Sequence, residues 1–317
     1  MFYLSSLFTT FIFVLIFSFF PAQAITKIAI ANYGPHASLE ETIQGIQQGL
    51  ASLGYRENKN IQYEILHINF DRSLLPQMLA KIKASKPDLV VSLSTPVSQA
   101  AKHYFKDIPL VFVDVTDPVS AGLINQANLT GVSEKQDIAG VVDFAKHILP
   151  SVHKIGLLYS TGDDNDKALL TLFKKVALLK NVELVALPID QSRDIPVRMQ
   201  AFKAKKIDFI YVGASGPIQP SLPAIVATAN RLSVPVFNAH CDAVKHHQAF
   251  ACYAVSYLAL GQRAAIMIDK IIKGQSPKAL AIYYPTVQDH EAYVSAKMAQ
   301  KLQITLPKNG ANLQIVP

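Results

Sequence analysis

The chain has 317 residues, of which half are hydrophobic and 17% are charged, with a formal net charge of +7. This composition excludes a disordered protein, and the length allows two lobes that each bury a core. The basic residues form no stripe interleaved with stacking aromatics, so no nucleic-acid partner is predicted.

Residues 1–24 carry no charged side chain, contain a long apolar run and end in Ala22-Gln23-Ala24. This pattern predicts an export signal cleaved after Ala24, with an uncleaved membrane anchor as the alternative. No later stretch reaches the roughly 18 apolar residues that a membrane span requires. We therefore predict a periplasmic protein that meets the membrane only through its partners or through an uncleaved signal.

From residue 25 onward, short apolar runs alternate with helical patterns. The runs predict strands at 27–32, 61–67, 89–93, 110–115, 155–159, 182–188, 209–212, 234–238 and 250–255. The clearest helix is predicted at 39–53, where apolar residues recur at steps of four and three and Gly54 ends the pattern. Mostly apolar strands separated by helices are typical of parallel sheets flanked by helices.

The order of elements occurs twice, once from Lys27 and once from Lys154. Each half reads strand, helix, strand, helix, strand, helix and a strand led by proline, which predicts two doubly wound α/β lobes. A helix left over after residue 255 suggests that the chain crosses back to the first lobe. We expect the N-terminal lobe at 25–133 and 254–275, the C-terminal lobe at 134–253 and 276–317, and a hinged cleft between them.

In open parallel sheets, ligands bind beyond the carboxyl ends of the strands. Here those ends are 32–38, 94–98, 114–117, 160–166, 213–217 and 238–242. They are rich in small, hydroxyl and acidic residues. Small residues let a ligand approach the backbone, and helices that begin after these turns offer free amides to an anionic group.

Catalytic signatures do not occur in this sequence. Ser215 lies in Gly213-Ala-Ser-Gly-Pro217, which fails the nucleophile-elbow pattern because its fifth residue is proline. There is no phosphate-binding loop, dinucleotide fingerprint or His-Glu-x-x-His motif. We predict that the protein is not an enzyme and uses no cofactor. An exported hydrolase is the alternative, without a motif to support it.

Two features lie late in the chain. His240, Cys241 and Asp242, followed by His246 and His247, have side chains that suit zinc, copper or nickel. Their spacing matches no compact ligand set, so no metal site is predicted, and exposed or pocket-lining histidines are the simpler interpretation. Cys241 and Cys252 could form a disulfide in an exported protein, and two separate buried thiols are the alternative.

Two acidic segments each allow two interpretations. In 162–166, one aspartate is expected to cap the following helix, and another aspartate could be recruited to a ligand ammonium or hydroxyl group. Asp117 precedes Pro118 and could simply form a turn, but its place at a strand end favours a role in the cleft.

Several motifs resemble one bacterial family. They are Leu53-Gly54-Tyr55 with Asn60, Lys86-Pro-Asp-Leu89 leading to Ser94-Thr95-Pro96, Ile108-Pro109, Thr116-Asp117-Pro118, 130–133, 155–159, 234–236, 260–261 and 302–307. The mature chain resembles ABC-transporter substrate-binding proteins, in the group whose known ligands include tryptophan and other aromatic amino acids. The resemblance implies a type I periplasmic-binding fold, with two Rossmann-like lobes, three crossovers and ligand capture by closure.

Carried over onto this sequence, the family pattern places Ser94 and Thr95 on a carboxylate or other polar group. The expected ligand-binding residues are His36, Ser94, Thr95, Asp117, Ser160, Thr161, Asp164, Asn165, Ser215, His240 and Ser256. Ser215, His240-Cys241 and Ser256 stand where the family tends to have acidic residues. A buried ammonium group needs a carboxylate partner, so these departures weaken the expectation of an amino-acid ligand.

The leading hypothesis is a monomeric receptor that delivers a small polar or aromatic, amino-acid-like ligand to an ABC permease and its ATPase. The alternatives are a ligand-binding sensory partner of a membrane receptor and an exported metal-binding protein.

Overall fold

The computed structural model describes residues 25–307 and 313–317, so the predicted export signal lies outside the described residues. Its first sheet contains the strands β1 Thr26–Asn32, β2 Ile61–His67, β3 Leu89–Leu93, β4 Leu110–Val115 and β5 Leu129–Ser133. The strands are all parallel, in the order β2-β1-β3-β4-β5. Strand β5 was not predicted, because Thr130 and Gly131 interrupt its apolar pattern. Gly131 is needed there, since an added Cβ would lie 2.2 Å from the carbonyl oxygen of Phe112.

The second sheet contains β6 Lys154–Tyr159, β7 Glu183–Pro188, β8 Phe209–Val212, β9 Val236–Asn238, β10 Ala251–Val255, β11 His290–Ser295 and β12 Gln314–Val316. Their order is β12-β11-β10-β9-β8-β6-β7. Strand β11 runs antiparallel to β10, an exception to the expected parallel sheet. The chain returns to this lobe at the edge where β10 ends, with His290 opposite Val255, so β11 must run back from that edge.

Helices flank both sheets. They are α1 Ala37–Ser52, α2 Leu75–Ala84, α3 Thr95–Tyr104, α4 Ile138–Ile148, α5 Asp164–Lys180, α6 Ile195–Arg198, α7 Gln200–Lys205, α8 Leu222–Arg231, α9 Asp242–Lys245, α10 Tyr257–Ile272 and α11 Ala296–Lys301. Within the described residues, no helix is both long and apolar enough to cross a membrane.

Helix α10 returns from the second lobe and packs on α1 of the first. Glycines allow the two backbones to touch: an added Cβ at Gly261 would lie 2.2 Å from the carbonyl oxygen of Thr42, and one at Gly45 would lie 2.2 Å from that of Leu258. The apolar side chains of α10, from Tyr257 to Ile271, belong to the first core. The helix therefore anchors the predicted crossover.

The chain crosses between the lobes three times: after β5, after β10 and before β11. The segment before the third crossover lies along β5, because Tyr283 donates its N–H to the carbonyl of Gly131 and accepts from the N–H of Ser133. Leu280 and Ile282 also pack on the first core. The lobe boundary expected at residue 275 therefore precedes a stretch that lies on the first lobe.

Candidate ligand-binding cleft

A narrow cavity, part of which opens to solvent, lies between the two lobes. Its walls are the carboxyl ends of strands from both sheets, as the sequence predicts. The first lobe and its crossover contribute Tyr33, His36, Ser38, Leu39, Phe70, Ser94, Thr95, Pro96, Asp114 and Glu134, and the second lobe contributes Asn165, Ala214, Ser215 and Gly216. The predicted residues His36, Ser94, Thr95, Asn165 and Ser215 are thus brought together.

Asp114 is the most unusual side chain in this cavity. The pairing of β4 with β5 shifts register between Val113 and Val115, and Asp114 takes a φ of 57° at this bulge. Bulges of this kind redirect a side chain, and strained backbone concentrates at functional sites. Asp114 is 3% exposed, and both of its carboxylate oxygens are buried without a hydrogen-bond partner. Burial raises the pKa of Asp114 from 3.8 to about 7, and the negative charge of Glu41 adds to this effect. The nearby Thr42 hydroxyl lowers the pKa, but its hydrogen bond goes to the carbonyl of Tyr257 at 3.5 Å.

Ser94 and Thr95 lie on the neighbouring strand end, at the start of α3. Ser94 has a φ of 77°, a strained value for a residue other than glycine. Both side-chain oxygens are buried and have no partner. Pro96 suits the first turn of the helix, where its missing N–H is not needed. Two free hydroxyls and a helix N-terminus therefore face the cavity close to Asp114.

Two further buried carboxyl groups, of Glu134 and Asp166, flank the site. Glu134 accepts hydrogen bonds from the hydroxyls of Thr116 at 2.8 Å and Tyr257 at 3.0 Å. Burial and then the nearby Asp114 raise its pKa to about 8. Asp166 accepts from the Ser160 N–H at 2.6 Å, and burial raises its pKa to about 7. Unlike Asp114, both have their hydrogen bonds supplied by the protein.

Aromatic rings form one wall of the cavity. Tyr33 and Phe70 meet edge to face with centroids 5.4 Å apart. Phe70 lies directly over Gly34, where an added Cβ would fall 2.7 Å from the ring. Gly216 of the second lobe reaches the same rings, and its added Cβ would lie 2.5 Å from Cε1 of Tyr33. The two lobes are therefore in close contact at this wall.

The polar side chains of the second-lobe wall, Asn165 and Ser215, already form hydrogen bonds within the protein, apart from one atom. Ser215 donates its hydroxyl to Asp166 at 2.7 Å. The Asn165 side chain donates its Nδ2 to the carbonyl of Ala214 at 3.2 Å, which directs the amide. Its Oδ1 is buried and has no partner. This lobe thus presents a single free acceptor to the cavity.

The two predicted histidines differ in position. His36 lines the cavity, and its Nδ1 accepts the N–H of Ser38, so the neutral ring carries its proton on Nε2. Burial, followed by the nearby His240, lowers the pKa of His36 to about 4. His240 is not among the residues that line this cavity; its Nε2 lies 3.2 Å from a Glu41 carboxylate oxygen of the first lobe. Ser256 lines the same neighbouring pocket as His240 and caps α10 through the Ala259 N–H.

Four predicted residues have other environments. Asp117 accepts the N–H groups of Val119 and Ser120 in a turn, the simpler of its two interpretations. Thr161 donates to Asp190, and Asp164 pairs with Lys167. Ser160 accepts the Gly162 N–H. None of the four lines the cavity.

Helix α5 begins after Asp163, but the predicted side-chain cap is not formed. The Asp163 carboxylate instead lies 3.1 Å from Arg72 of the first lobe. Arg72 also donates to the carbonyl of Gly162, and Gln99 donates to Asp164 at 3.1 Å. Together with Glu41 and His240, these contacts join the lobes around the cavity.

Cys241 and Cys252 form a disulfide, with Cα atoms 5.3 Å apart. The bond ties the loop that carries His240 to β10. Among the described residues, no group of three His, Cys, Asp or Glu side chains is arranged to hold a metal ion.

Four lining residues were not selected as candidates from the sequence: Tyr33, Phe70, Asp114 and Glu134. Tyr33 and Asp114 lie within the predicted strand ends 32–38 and 114–117, whereas Phe70 and Glu134 lie outside them. A signal existed for Asp114, a lone charge inside the buried strand Leu110–Val115. Glu134 directly follows β5, the strand that was not predicted. The departures at Ser215, His240-Cys241 and Ser256 weakened the expectation of an ammonium group, but Asp114 and Glu134 place two other carboxyl groups among the lining residues.

A cavity lined by the strand ends of two α/β lobes is typical of a protein that binds a small molecule between them. Over residues 27–312 the chain matches the ABC transporter substrate binding protein family, and it belongs to that family. This family acts outside the cytoplasm, where its members bind small molecules for an ABC permease.

Relatives of this chain include proteins of known ligand. It is 29% identical over 255 residues to a tyrosine-binding protein of Clostridioides difficile, covering 79% of this chain and 73% of the relative. A structure from Streptococcus pneumonia in complex with L-Trp is 26% identical with a TM-score of 0.83, covering 90% of this chain and 97% of the other.

A third comparison concerns the arrangement of the lobes. A ligand-free, open structure of a substrate-binding protein with adhesive properties from Clostridium difficile is also 26% identical, but its TM-score is 0.71, over 92% of this chain and 99% of the other. At equal identity, the chain thus fits the ligand complex better than the open structure. This agrees with the contacts that join its lobes around the cavity.

Proposed function

We propose that the protein captures a free α-amino acid between its lobes, with the ammonium group at Asp114 and the carboxylate at Ser94 and Thr95. The observation that carries this proposal is the set of unpartnered atoms: two carboxylate oxygens beside two hydroxyls, all buried in one cavity. Buried polar groups in proteins are nearly always hydrogen-bonded, so such a set indicates a ligand that supplies the missing partners.

The charges around the cavity favour an ammonium group. No lysine or arginine is among the lining residues. His36 is neutral at physiological pH because its pKa is lowered to about 4. An ammonium group placed at Asp114 would supply both the charge and the hydrogen bonds that this carboxylate lacks.

The carboxylate position follows from the start of α3. The helix N-terminus carries a partial positive charge and free N–H groups, which favour an anion. The hydroxyls of Ser94 and Thr95 add two donors that can rotate toward a carboxylate. An α-amino acid presents its two charged groups at the short separation that neighbouring strand ends allow.

The side chain of the ligand would lie against Tyr33, Phe70 and Leu39. Aromatic walls favour a flat or apolar side chain. The tyrosine-binding relative and the structure with bound L-Trp support an aromatic amino acid. We further propose export through residues 1–24, a periplasmic location, and delivery of the ligand to an ABC permease and its ATPase.

The test uses the chain from Ile25, purified under conditions that strip bound ligand, in isothermal titration with L-tyrosine and L-tryptophan. Tyramine lacks the carboxylate, and N-acetyl-L-tyrosine lacks the ammonium charge. We expect at least one amino acid to bind and both derivatives of tyrosine to bind at least about 100-fold more weakly than tyrosine, because each leaves buried charged partners unpaired. Equal binding of N-acetyl-L-tyrosine and tyrosine would contradict the role of Asp114.

A further inference from the structure

Among the second-lobe side chains that line the cavity, one buried polar atom has no partner, Oδ1 of Asn165. This atom is buried in the cavity wall although the residue as a whole is partly exposed. The other polar side chains of this wall are already committed: the Ser215 hydroxyl bonds Asp166, and Asp166 also accepts from Ser160. Oδ1 of Asn165 is therefore the lining side-chain atom of this lobe that still lacks a hydrogen-bond partner.

The orientation of the Asn165 amide determines which kind of ligand group can bind to it. Its Nδ2 donates to the carbonyl of Ala214 at 3.2 Å, and a carbonyl cannot donate in return, so the amide nitrogen must face Ala214. Oδ1 consequently points away as a pure acceptor. Only a hydrogen-bond donor satisfies it, and an apolar group or a carboxylate would leave it unpaired.

The main-chain groups of an amino acid are accounted for elsewhere in the proposed arrangement. Asp114, Ser94 and Thr95 come from the first lobe, and Asn165 comes from the opposite lobe across the cavity. An acceptor on the opposite wall would meet the far end of the ligand. We infer that Asn165 determines specificity, and that the preferred ligand is an amino acid whose side chain ends in a hydrogen-bond donor, such as a phenol, an indole N–H or an amide.

This inference rests on the proposed amino-acid function. It additionally predicts that the site discriminates between amino acids with and without a hydrogen-bond donor at the end of the side chain. Leaving a buried acceptor unpaired weakens binding by about tenfold or more. A pocket that recognises only the size of a side chain, in contrast, discriminates poorly between two ligands of the same shape. The free energy of the missing hydrogen bond can therefore be measured as the ratio of the dissociation constants of two ligands that have nearly the same shape.

The experiment measures dissociation constants for matched pairs: L-tyrosine with L-phenylalanine, L-tryptophan with 1-methyl-L-tryptophan, and L-glutamine with L-methionine. We expect the donor-bearing member of the best-binding pair to bind about tenfold or more tightly. In Asn165→Leu that ratio should fall to near one while the partner without a donor still binds. Thr171→Val, an exposed change on the same helix, should leave the ratio unchanged.

The outcomes separate the two proposals. If amino acids bind but each pair binds equally, or if Asn165→Leu keeps the wild-type ratio, the role of Asn165 is overturned and the amino-acid site stands. Should no α-amino acid bind, both proposals fail together. If Asn165→Leu does not fold, the wild-type ratios alone still decide, because equal ratios contradict the inference.

Discussion

The two walls of the cleft differ in how far the protein satisfies its own polar groups. On the first lobe, Asp114, Ser94 and Thr95 are buried with unpartnered oxygens. On the second, Ser215 donates to Asp166, and Oδ1 of Asn165 is the one unpartnered atom among the lining side chains. The difference teaches that similar strand ends can differ in polar satisfaction. We therefore expect the first lobe to supply most of the hydrogen bonds to a ligand and the second lobe to add one.

The largest effect on ligand binding is expected from substitution of Asp114, on the wall with the unpartnered oxygens. Asp114→Asn removes the only carboxylate of the cavity that the protein leaves unpartnered, so amino-acid affinity should fall at least about 100-fold in isothermal titration. Asp117→Asn is the matched control, since Asp117 follows the same strand but bonds its own turn. An equal loss of affinity in both variants would contradict the special role of Asp114.

A pH titration tests the same wall without a substitution. With the lobes in contact, burial raises the pKa of Asp114 from 3.8 to about 7, so without a bound ammonium group this carboxyl binds a proton below pH 7. A bound ammonium group requires its ionised form, so affinity should fall about 30-fold from pH 8 to pH 5.5. Affinity that does not change over this range would show that the ammonium group lies elsewhere.

The stability of the empty protein should follow the opposite trend. Burial raises the pKa of Asp114 and Asp166 to about 7 and that of Glu134 to about 8, so these carboxyl groups bind more protons in the folded than in the unfolded state between about pH 4 and pH 8. Their contribution to the free energy of unfolding is therefore full at pH 4 and is lost as the pH rises through 7 and 8. The increase in Tm on adding ligand should consequently be larger at pH 8 than at pH 5.5, as thermal unfolding at both values would show.

The close approach of the walls can be tested at Gly216. In Gly216→Ala the new Cβ would lie 2.5 Å from the buried Tyr33 ring, so full closure should be hindered and affinity should fall by about tenfold. Gly162→Ala is the control, because its added Cβ would meet only the Ser160 hydroxyl oxygen at 3.8 Å. Small-angle scattering of ligand-saturated protein should show a larger radius of gyration for Gly216→Ala alone.

The smallest effect is expected at the rim. Arg72 pairs with Asp163 across the lobes, but the arginine side chain is 44% exposed. The Asp163 side chain is only 3% exposed, but removing the arginine side chain would let water reach its carboxylate. We therefore expect the pair to contribute as an exposed one does, about 0.2–1 kcal/mol, so Arg72→Ala should weaken binding only a few-fold. High salt should reduce the affinity of the wild type toward that of the variant. A loss as large as that of Asp114→Asn would mean that the rim, and not the unpartnered wall, dominates capture.

Much of this protein could be predicted from local sequence. Apolar runs located the strands Leu89–Leu93 and Leu110–Val115 at their observed bounds, because a strand buried on both faces leaves a continuous signal. The rule that ligands bind at strand ends brought Ser94, Thr95, Asn165 and Ser215 into the candidate site, and all four line the cavity. Each of these inferences depends only on neighbours in the chain.

The tertiary structure decided the chemistry of the site. Whether an aspartate at a strand end meets a ligand depends on a bulge that turns Asp114 inward, while Asp117 bonds its own turn. Which polar atoms remain unpaired depends on partners far away in sequence, such as Asp166 for Ser215. The sequence by itself determined the two lobes and the sheet edges, at the carboxyl ends of the strands, where a ligand is expected. Which polar side chains remain without a partner there was decided only by the tertiary structure, because burial and hydrogen bonding depend on residues that are distant in the chain.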